Sequence, residues 1–232
     1  MGVAWSMLSP IMMMLILSAV FSKVFRFDVP NWPLYIMAGQ TMYSFFNEAT
    51  TSANYSIVDS AQLIKKVYIP KYLFPIEKTL FAFVNMLFSM IAVLVMLFIF
   101  RSPFSWMMLL FPVPLLELLL FTLGFGLILS ALCVFFRDLK HLYTIITLAW
   151  FYITPIIYPI SIVEESWIRY VVYINPLTWY IEYFRILVLY NPADGTLPDL
   201  KINIICLAWA VVTFASGMLL FRKTQDKFIL HI

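Results

Sequence analysis

Few side chains in this sequence are equipped for chemistry, and their types and spacing narrow what that chemistry can be. The two histidines, His141 and His231, and the two cysteines, Cys133 and Cys206, form no CxxC, HExxH or Cys/His cluster. Zinc binding and metalloprotease chemistry therefore have no ligand set, and the cysteines, both inside apolar runs, read as small core hydrophobes. No G-x-S-x-G string offers a nucleophile. No G-x-x-x-x-G-K-[ST] string offers a phosphate cradle, since the closest glycine pair, Gly124 and Gly126, sits in the apolar run LGFGL, where glycines let helices approach. The chain has no machinery of its own for hydrolysing ATP. Two carboxylates, Glu48 and Glu117, lie within apolar runs, where a charge is costly unless a neighbouring helix satisfies it or it faces a cavity. Neither has an ionisable partner at matching depth, so no proton relay is indicated.

The most informative polar stretch is NYSIVDSAQLIKKVYIP, residues 54–70. Ile57, Ala61, Ile64 and Tyr68 recur at spacings of one helix face. Asp59 or Ser60 supplies an N-cap and Pro70 a stop. This predicts a short amphipathic helix that either lies on anionic headgroups through Lys65 and Lys66 or docks on a soluble partner.

The elements that must position these residues are membrane spans. The 232-residue chain is 63% hydrophobic and 12% charged, against roughly 45–50% and about 25% in soluble proteins, which excludes a water-soluble globule. A formal charge of +3 with scattered basic residues leaves no footprint for nucleic acid. Crossing the hydrocarbon layer takes about 20 mostly apolar residues. Six segments are predicted to do so: Val3–Phe21, Leu34–Ala53, Leu80–Phe100, Leu115–Phe136, Leu142–Ile160 and Ile202–Phe221. Val3–Phe21 is too long, and lacks the basic start and small-residue end, of a signal peptide. Gln40, Asn47, Glu48, Thr50, Thr51 and Ser52 dilute the second span, and Pro155 and Pro159 are expected to kink or end the fifth. Between the last two spans, residues 166–174 and 177–190 are apolar but short, and Asn175-Pro176 separates them. They are predicted to be two short helices that dip into one leaflet, with Trp167, Tyr170, Tyr173, Trp179, Tyr180 and Tyr183 at headgroup level.

Six spans place both termini on one side. Lys65, Lys66, Lys71, Arg137, Lys140, Arg222, Lys223 and Lys227 fall there, in about 35 loop residues, against Lys23, Arg26, Arg101, Arg169, Arg185 and Lys201 in about 55 on the other. The first side is expected to be cytoplasmic. No repeat or linker interrupts the chain, so residues 1–232 are expected to form a single transmembrane domain.

Five strings in fixed order carry a resemblance: GVAWSMLSPIMMMLILSAVFS, LIKKVYIPKYLFP, FFRDLKHL, TPIIYP and NPLTWYIEYFRILVL. Together they resemble the type-2 permeases of ATP-binding-cassette exporters, within that group the subunits exporting lipid-linked polysaccharide such as O-antigen or teichoic acid. The resemblance implies an all-α membrane protein in the inner membrane of a bacterium, both termini cytoplasmic. It implies a homodimer bound to nucleotide-binding ATPase subunits that hold the ATP and Mg, with no cofactor or metal in this chain and no nucleic-acid partner. It also implies that the cytoplasmic helix is a coupling helix contacting the ATPase through Leu63, Ile64, Lys65, Lys66, Tyr68 and Pro70, with Arg137 and Asp138 on the same side. Asn175, Pro176, Trp179 and Tyr180, on the two short external re-entrant helices, are implied to form a gate. Members of the group usually begin with a basic amphipathic helix before the first string; here Met1 abuts it directly, and a truncated or misassigned start is expected. A path for a long glycan is served by aromatic faces, and Tyr43, Phe45, Phe46, Trp150, Phe151 and Tyr152 are candidates to line it. An exporter of a drug or small lipid, a membrane-embedded glycan polymerase or ligase, and a non-transporting assembly protein remain as alternatives.

Overall fold

The computed structural model describes residues 8, 10–17, 19–20, 31–67, 69–101, 106–190 and 199–228. Among these the chain is helical, with no strand. Residues 10–17 are helical, and most of the predicted first span otherwise lies outside the described residues. We label the helices α1 (Trp32–Asn54), α2 (Ser56–Asp59), α3 (Ala61–Lys66), α4 (Leu73–Ile99), α5 (Pro112–Phe135), α6 (Leu139–Ile153), α7 (Ile168–Ile174), α8 (Pro176–Arg185) and α9 (Leu200–Thr224). A 3-10 turn, Trp106–Leu110, leads into α5; a π-turn, Ile186–Tyr190, extends α8; and a 3-10 turn, Gln225–Lys227, extends α9.

Among the described residues, three helical stretches are long and apolar enough to cross a membrane: Leu73–Ile99, Trp106–Phe135 and Leu200–Lys227. They contain the third, fourth and sixth predicted spans almost entirely. Each runs longer because a helix continues through polar ends that dilute an apolar window. At 1.5 Å per residue the 27 residues of α4 extend about 40 Å, with Pro75 tolerated in the first turn because its missing N–H would have had no partner there. Pro112 opens α5 for the same reason.

The predicted second span is the continuous helix α1, 23 residues long. Its composition is weak because it is wrapped by protein: Leu34, Ile36, Met37, Ala38, Met42, Phe46, Ala49 and Ala53 are all fully buried.

The predicted fifth span, Leu142–Ile160, is helical over only its first part. Helix α6 stops at Ile153 after 15 residues, about 22 Å, short of the roughly 30 Å hydrocarbon layer. The residue before a proline is forced from the helical region, so Pro155 ends the helix at Thr154 and the chain continues through residues 154–158 as bends.

The chain forms two compact units. One comprises residues 1–44, 85–115 and 150–206; the other comprises residues 45–84, 116–149 and 207–232. In the second, α5 and α9 meet at glycines. A Cβ on Gly124 would stand 2.5 Å from the Phe214 backbone, and one on Gly217 would strike the Gly124 carbonyl. The backbones touch directly, as small residues allow between membrane helices. Gly217→Val is therefore expected to destabilise the protein by at least the 1–3 kcal/mol typical of overpacking, about that range being reached because backbone cannot move aside as a side chain does. A lowered thermal midpoint of the purified chain in detergent checks this, and an unchanged midpoint would show that the helices have room to part.

Candidate functional site

In the second unit, the segment after α1 breaks into two short helices at Ser60. This is the expected N-cap position, but its side chain makes no cap hydrogen bond. Instead the Ser60 carbonyl accepts from the backbone N–H groups of Leu63 and Ile64, both at 3.0 Å, and α3 ends at Val67, whose backbone is extended. Ile57 is fully buried in a cluster with Leu127, Ala131, Val134, Phe221 and Phe228, and Ile64 packs against that cluster. Leu63 and Val67 are about half exposed at 45% and 50%, and Gln62, Lys65, Lys66 and Pro70 are exposed. Tyr68 lies outside the described residues. The outward apolar pair is therefore Leu63 and Val67, whereas Ile64 serves the interior.

Both ends of this segment are tied to the turn after α9. Phe228 is fully buried and packs edge-on to Phe221 at 5.3 Å and to Phe135 at 5.9 Å, in the cluster that holds Ile57. At the other end Lys71 Nζ donates to the Gln225 carbonyl at 2.6 Å and lies 5.9 Å from the Phe228 ring centre.

The FFRDLKHL loop stands beside the same segment. Lys140 sits over the Tyr55 ring at 4.2 Å, Asn54 Nδ2 donates to the Leu139 carbonyl at 3.5 Å, and Tyr143 Oη donates to Thr50 Oγ1 at 2.7 Å. Phe136, Arg137 and Asp138 are exposed. Asp138 immediately precedes α6, where a carboxylate suits the helix N-terminus. They border an open groove of about 650 Å³ whose walls include Leu132, Phe135, Leu139 and Leu142. Leu63, Val67 and the Phe136–Asp138 loop thus give this unit an outward surface of apolar and charged groups.

The first unit holds the predicted gate residues. Helices α7 and α8 meet at Asn175, as the Asn-Pro signal requires. The Asn175 side chain caps α8 by accepting from Leu177 N at 3.1 Å, with Pro176 at the first helical position. It also accepts from Trp150 Nε1 at 2.9 Å and donates to Thr154 Oγ1 at 2.8 Å, which joins the α7–α8 corner to the broken end of α6. Tyr180 is fully buried and donates to the Cys206 carbonyl at 2.7 Å. Trp179 Nε1 donates to the Tyr173 carbonyl at 2.8 Å.

Sequence reasoning missed the strongest feature of this unit. Arg185, counted among the outer loop charges, is fully buried. Its Nη1 donates to the Pro155 carbonyl at 2.7 Å, and its Nη2 to the carbonyls of Ile156 at 3.2 Å and Tyr35 at 3.1 Å. The guanidinium lies 3.4 Å from the Tyr35 ring centre and 3.8 Å from Glu182. Burial raises the Glu182 carboxyl above its ordinary range, against the lowering by Arg185. The Tyr35 hydroxyl donates to the Tyr158 carbonyl at 3.1 Å. In the bent segment after α6 the Pro155 and Ile156 carbonyls are thus satisfied by one cation and the Tyr158 carbonyl by one phenol, and the Tyr158 hydroxyl donates back to the Ile153 carbonyl at 2.8 Å.

The candidate path aromatics are distributed unevenly. Tyr43 packs edge-on to Phe151 at 5.2 Å, Phe45 edge-on to Phe83, and Phe46 against Phe121 and Phe125; Tyr43, Phe45 and Phe46 are buried. Trp150 is half-buried and Tyr152 is exposed. Cys133 and Cys206 are both buried, and neither is in a disulfide.

Long apolar helices, an outward loop surface and a buried polar clamp describe the membrane subunit of a transporter. The family model of the ABC-2 type transporter matches residues 1–189, and the chain belongs to that family; it is a transporter subunit and not an enzyme. It is similar to the O-antigen export system permease protein RfbA of Klebsiella pneumoniae, 28% identical over 231 residues, covering 98% of this chain and 86% of that protein. It is also similar to the O-antigen export system permease protein RfbA of Myxococcus xanthus, 27% identical over 228 residues with the same coverage.

Proposed function

We propose that this chain is the transmembrane half of an ATP-driven exporter that moves lipid-linked polysaccharide, of O-antigen or teichoic-acid type, across the inner membrane of a bacterium. Two copies work with two nucleotide-binding subunits, which supply the ATP and Mg. Each copy has six spans, the fifth made of α6 and the bent residues 154–158 that continue it, with both termini in the cytoplasm and α7–α8 re-entrant from outside. Residues 63–70 and Arg137–Asp138 form the contact with the ATPase.

The observation that carries this reading is the outward surface built by Leu63, Val67 and the Phe136–Asp138 loop. The basic stretches 65–71, 137–140 and 222–227 all fall in the same compact unit, which agrees with a single cytoplasmic side. Likeness to O-antigen export permeases over nearly the whole chain supports the cargo class.

The test is hydrolysis by purified components in liposomes. The chain alone is expected to hydrolyse no ATP, since it has no phosphate-binding loop; with its nucleotide-binding subunit it should hydrolyse ATP, and lipid-linked glycan should stimulate the rate. Stimulation by small amphiphiles and not by glycan would replace polysaccharide with a drug or small lipid as cargo. Hydrolysis by the isolated chain would overturn the division of labour.

A further inference from the structure

In the first unit a cavity of about 220 Å³ lies where α4, the 3-10 turn Trp106–Leu110 and the end of α8 come together. The 3-10 turn packs on the π-turn Ile186–Tyr190 at this point. Met90 and Val93 of α4, Met108 of the 3-10 turn, Phe184 of α8 and Val188 of the π-turn form its inner walls, and all five are buried. Leu94 and Leu109 stand at its mouth, 45% and 63% exposed. The cavity therefore opens on the surface of two stretches that are long and apolar enough to cross a membrane. Its lining residues are all apolar, and no polar atom faces the space. Leu87, Ile91, Leu94 and Phe98 recur at helical spacing and are all exposed, a stripe of α4 in hydrocarbon that runs past the mouth. Arg101, the next residue at that spacing, is exposed just beyond the helix end.

Water does not fill such a space, because a buried water needs about three hydrogen bonds from its surroundings. Left empty, the lining atoms lose their packing partners on one side, against the close packing that is the rule in protein interiors. An apolar cavity of about 150 Å³ stays dry and takes a benzene-sized solute, so this one has room for a longer piece of hydrocarbon. Beside a spanning helix the hydrocarbon at hand is that of the bilayer. We infer that the cavity holds one acyl chain of a bilayer phospholipid, whose phosphate lies against Arg101. That residue stands roughly 10 Å beyond Leu94 along the helix axis, and a cation at the end of a span meets the headgroup layer. The bilayer offers phospholipid to this face at all times, whereas any cargo only passes, so mass action favours the phospholipid. The inference needs the membrane and not the identity of the cargo.

The test is photolabelling of the full chain in vesicles of phosphatidylglycerol, a fraction of which carries a diazirine at the end of one acyl chain, with labelled residues mapped by peptide mass spectrometry. The carbene inserts only into atoms it touches. Phe184 and Val188 are expected to be labelled at least about tenfold above Ile36, which is equally buried but lines no such cavity, because contact is required. Leu87, on the hydrocarbon stripe, gives the level for passing boundary lipid. Val188→Phe fills the cavity, and Leu109→Trp closes its mouth from an exposed position that a folded chain tolerates. Each is expected to lower labelling of Phe184 severalfold and to leave Leu87 unchanged. Arg101→Gln is expected to weaken it about fivefold, the effect of one basic residue near an anionic surface. Labelling of Phe184 and Val188 no greater than that of Ile36 overturns the proposal, and so does labelling that both Val188→Phe and Leu109→Trp leave intact. An unchanged level in Arg101→Gln overturns the place given to the phosphate. Loss of labelling on adding purified lipid-linked glycan would assign the cavity to the lipid anchor of a cargo and overturn the phospholipid.

Discussion

Replacing Leu63 and Val67 together by aspartate is expected to release the ATPase subunit, or to lower ATP-dependent export by at least about tenfold, the effect of losing roughly 1.4 kcal/mol or more at a contact. Both side chains stand about half out of the protein and have no fully buried role to lose, so a folded chain should survive the change. Ile64→Asp makes the informative contrast. Ile64 packs toward Ile57 and Phe228, so it should lower the thermal midpoint of the chain itself, with coupling lost as a consequence. Lys65→Gln with Lys66→Gln should do less than the apolar pair. Near an anionic surface each lysine contributes about 1 kcal/mol, and a groove on a protein is held chiefly by its apolar anchors. Co-purification of the ATPase, the rate of hydrolysis and export are measured on each variant. If the lysine pair proves essential while Leu63→Asp with Val67→Asp is silent, the segment is a membrane-surface element, and the Phe136–Asp138 loop becomes the contact.

The sequence made some of this readable and hid the rest for physical reasons. Helices α4, α5 and α9 announce themselves because their faces meet hydrocarbon and must be apolar along their length. Asn175-Pro176 marks a corner because an N-cap and a proline at the first helical position are local requirements. The end of α6 at Pro155 follows from the same kind of rule, although the sequence leaves open whether the helix bends or stops. The inward packing of Ile64 is not legible in the sequence, because a three-to-four spacing defines a face without saying what the face meets. Leu63 and Val67 are as apolar as Ile57 and Ile64, and burial alone separates the pairs. The contacts of Arg185 with Tyr35 and of Lys71 with Gln225 join residues 150 and 154 positions apart, beyond any local periodicity. A buried arginine near the end of an apolar run reads, in sequence, like any loop cation.

Arg185 is where the second large effect is expected. Arg185→Ala removes the donors from the Pro155, Ile156 and Tyr35 carbonyls and leaves Glu182 without its partner. Breaking one side of a buried charged arrangement costs about 3–5 kcal/mol, a large share of the roughly 5–15 kcal/mol that holds a protein folded. Arg185→Lys should recover only part of this, since an ammonium cannot span three carbonyls and stack on the Tyr35 ring as a planar guanidinium does. Gly39 offers a sharper test. A Cβ there would lie 2.6 Å from Arg185 Nη2, so Gly39→Ala must displace a guanidinium held by three hydrogen bonds. In the wild-type background that substitution should destabilise by about 1–3 kcal/mol, even though alanine is the better helix former. In the Arg185→Ala background the obstacle is gone, and the same substitution should be neutral or stabilising by up to about 1 kcal/mol. The two changes are therefore expected to be strongly non-additive in thermal unfolding of the detergent-purified chain, as residues in direct contact are. Additive effects would mean that Gly39 is small for another reason and that Arg185 does not need the space beside it.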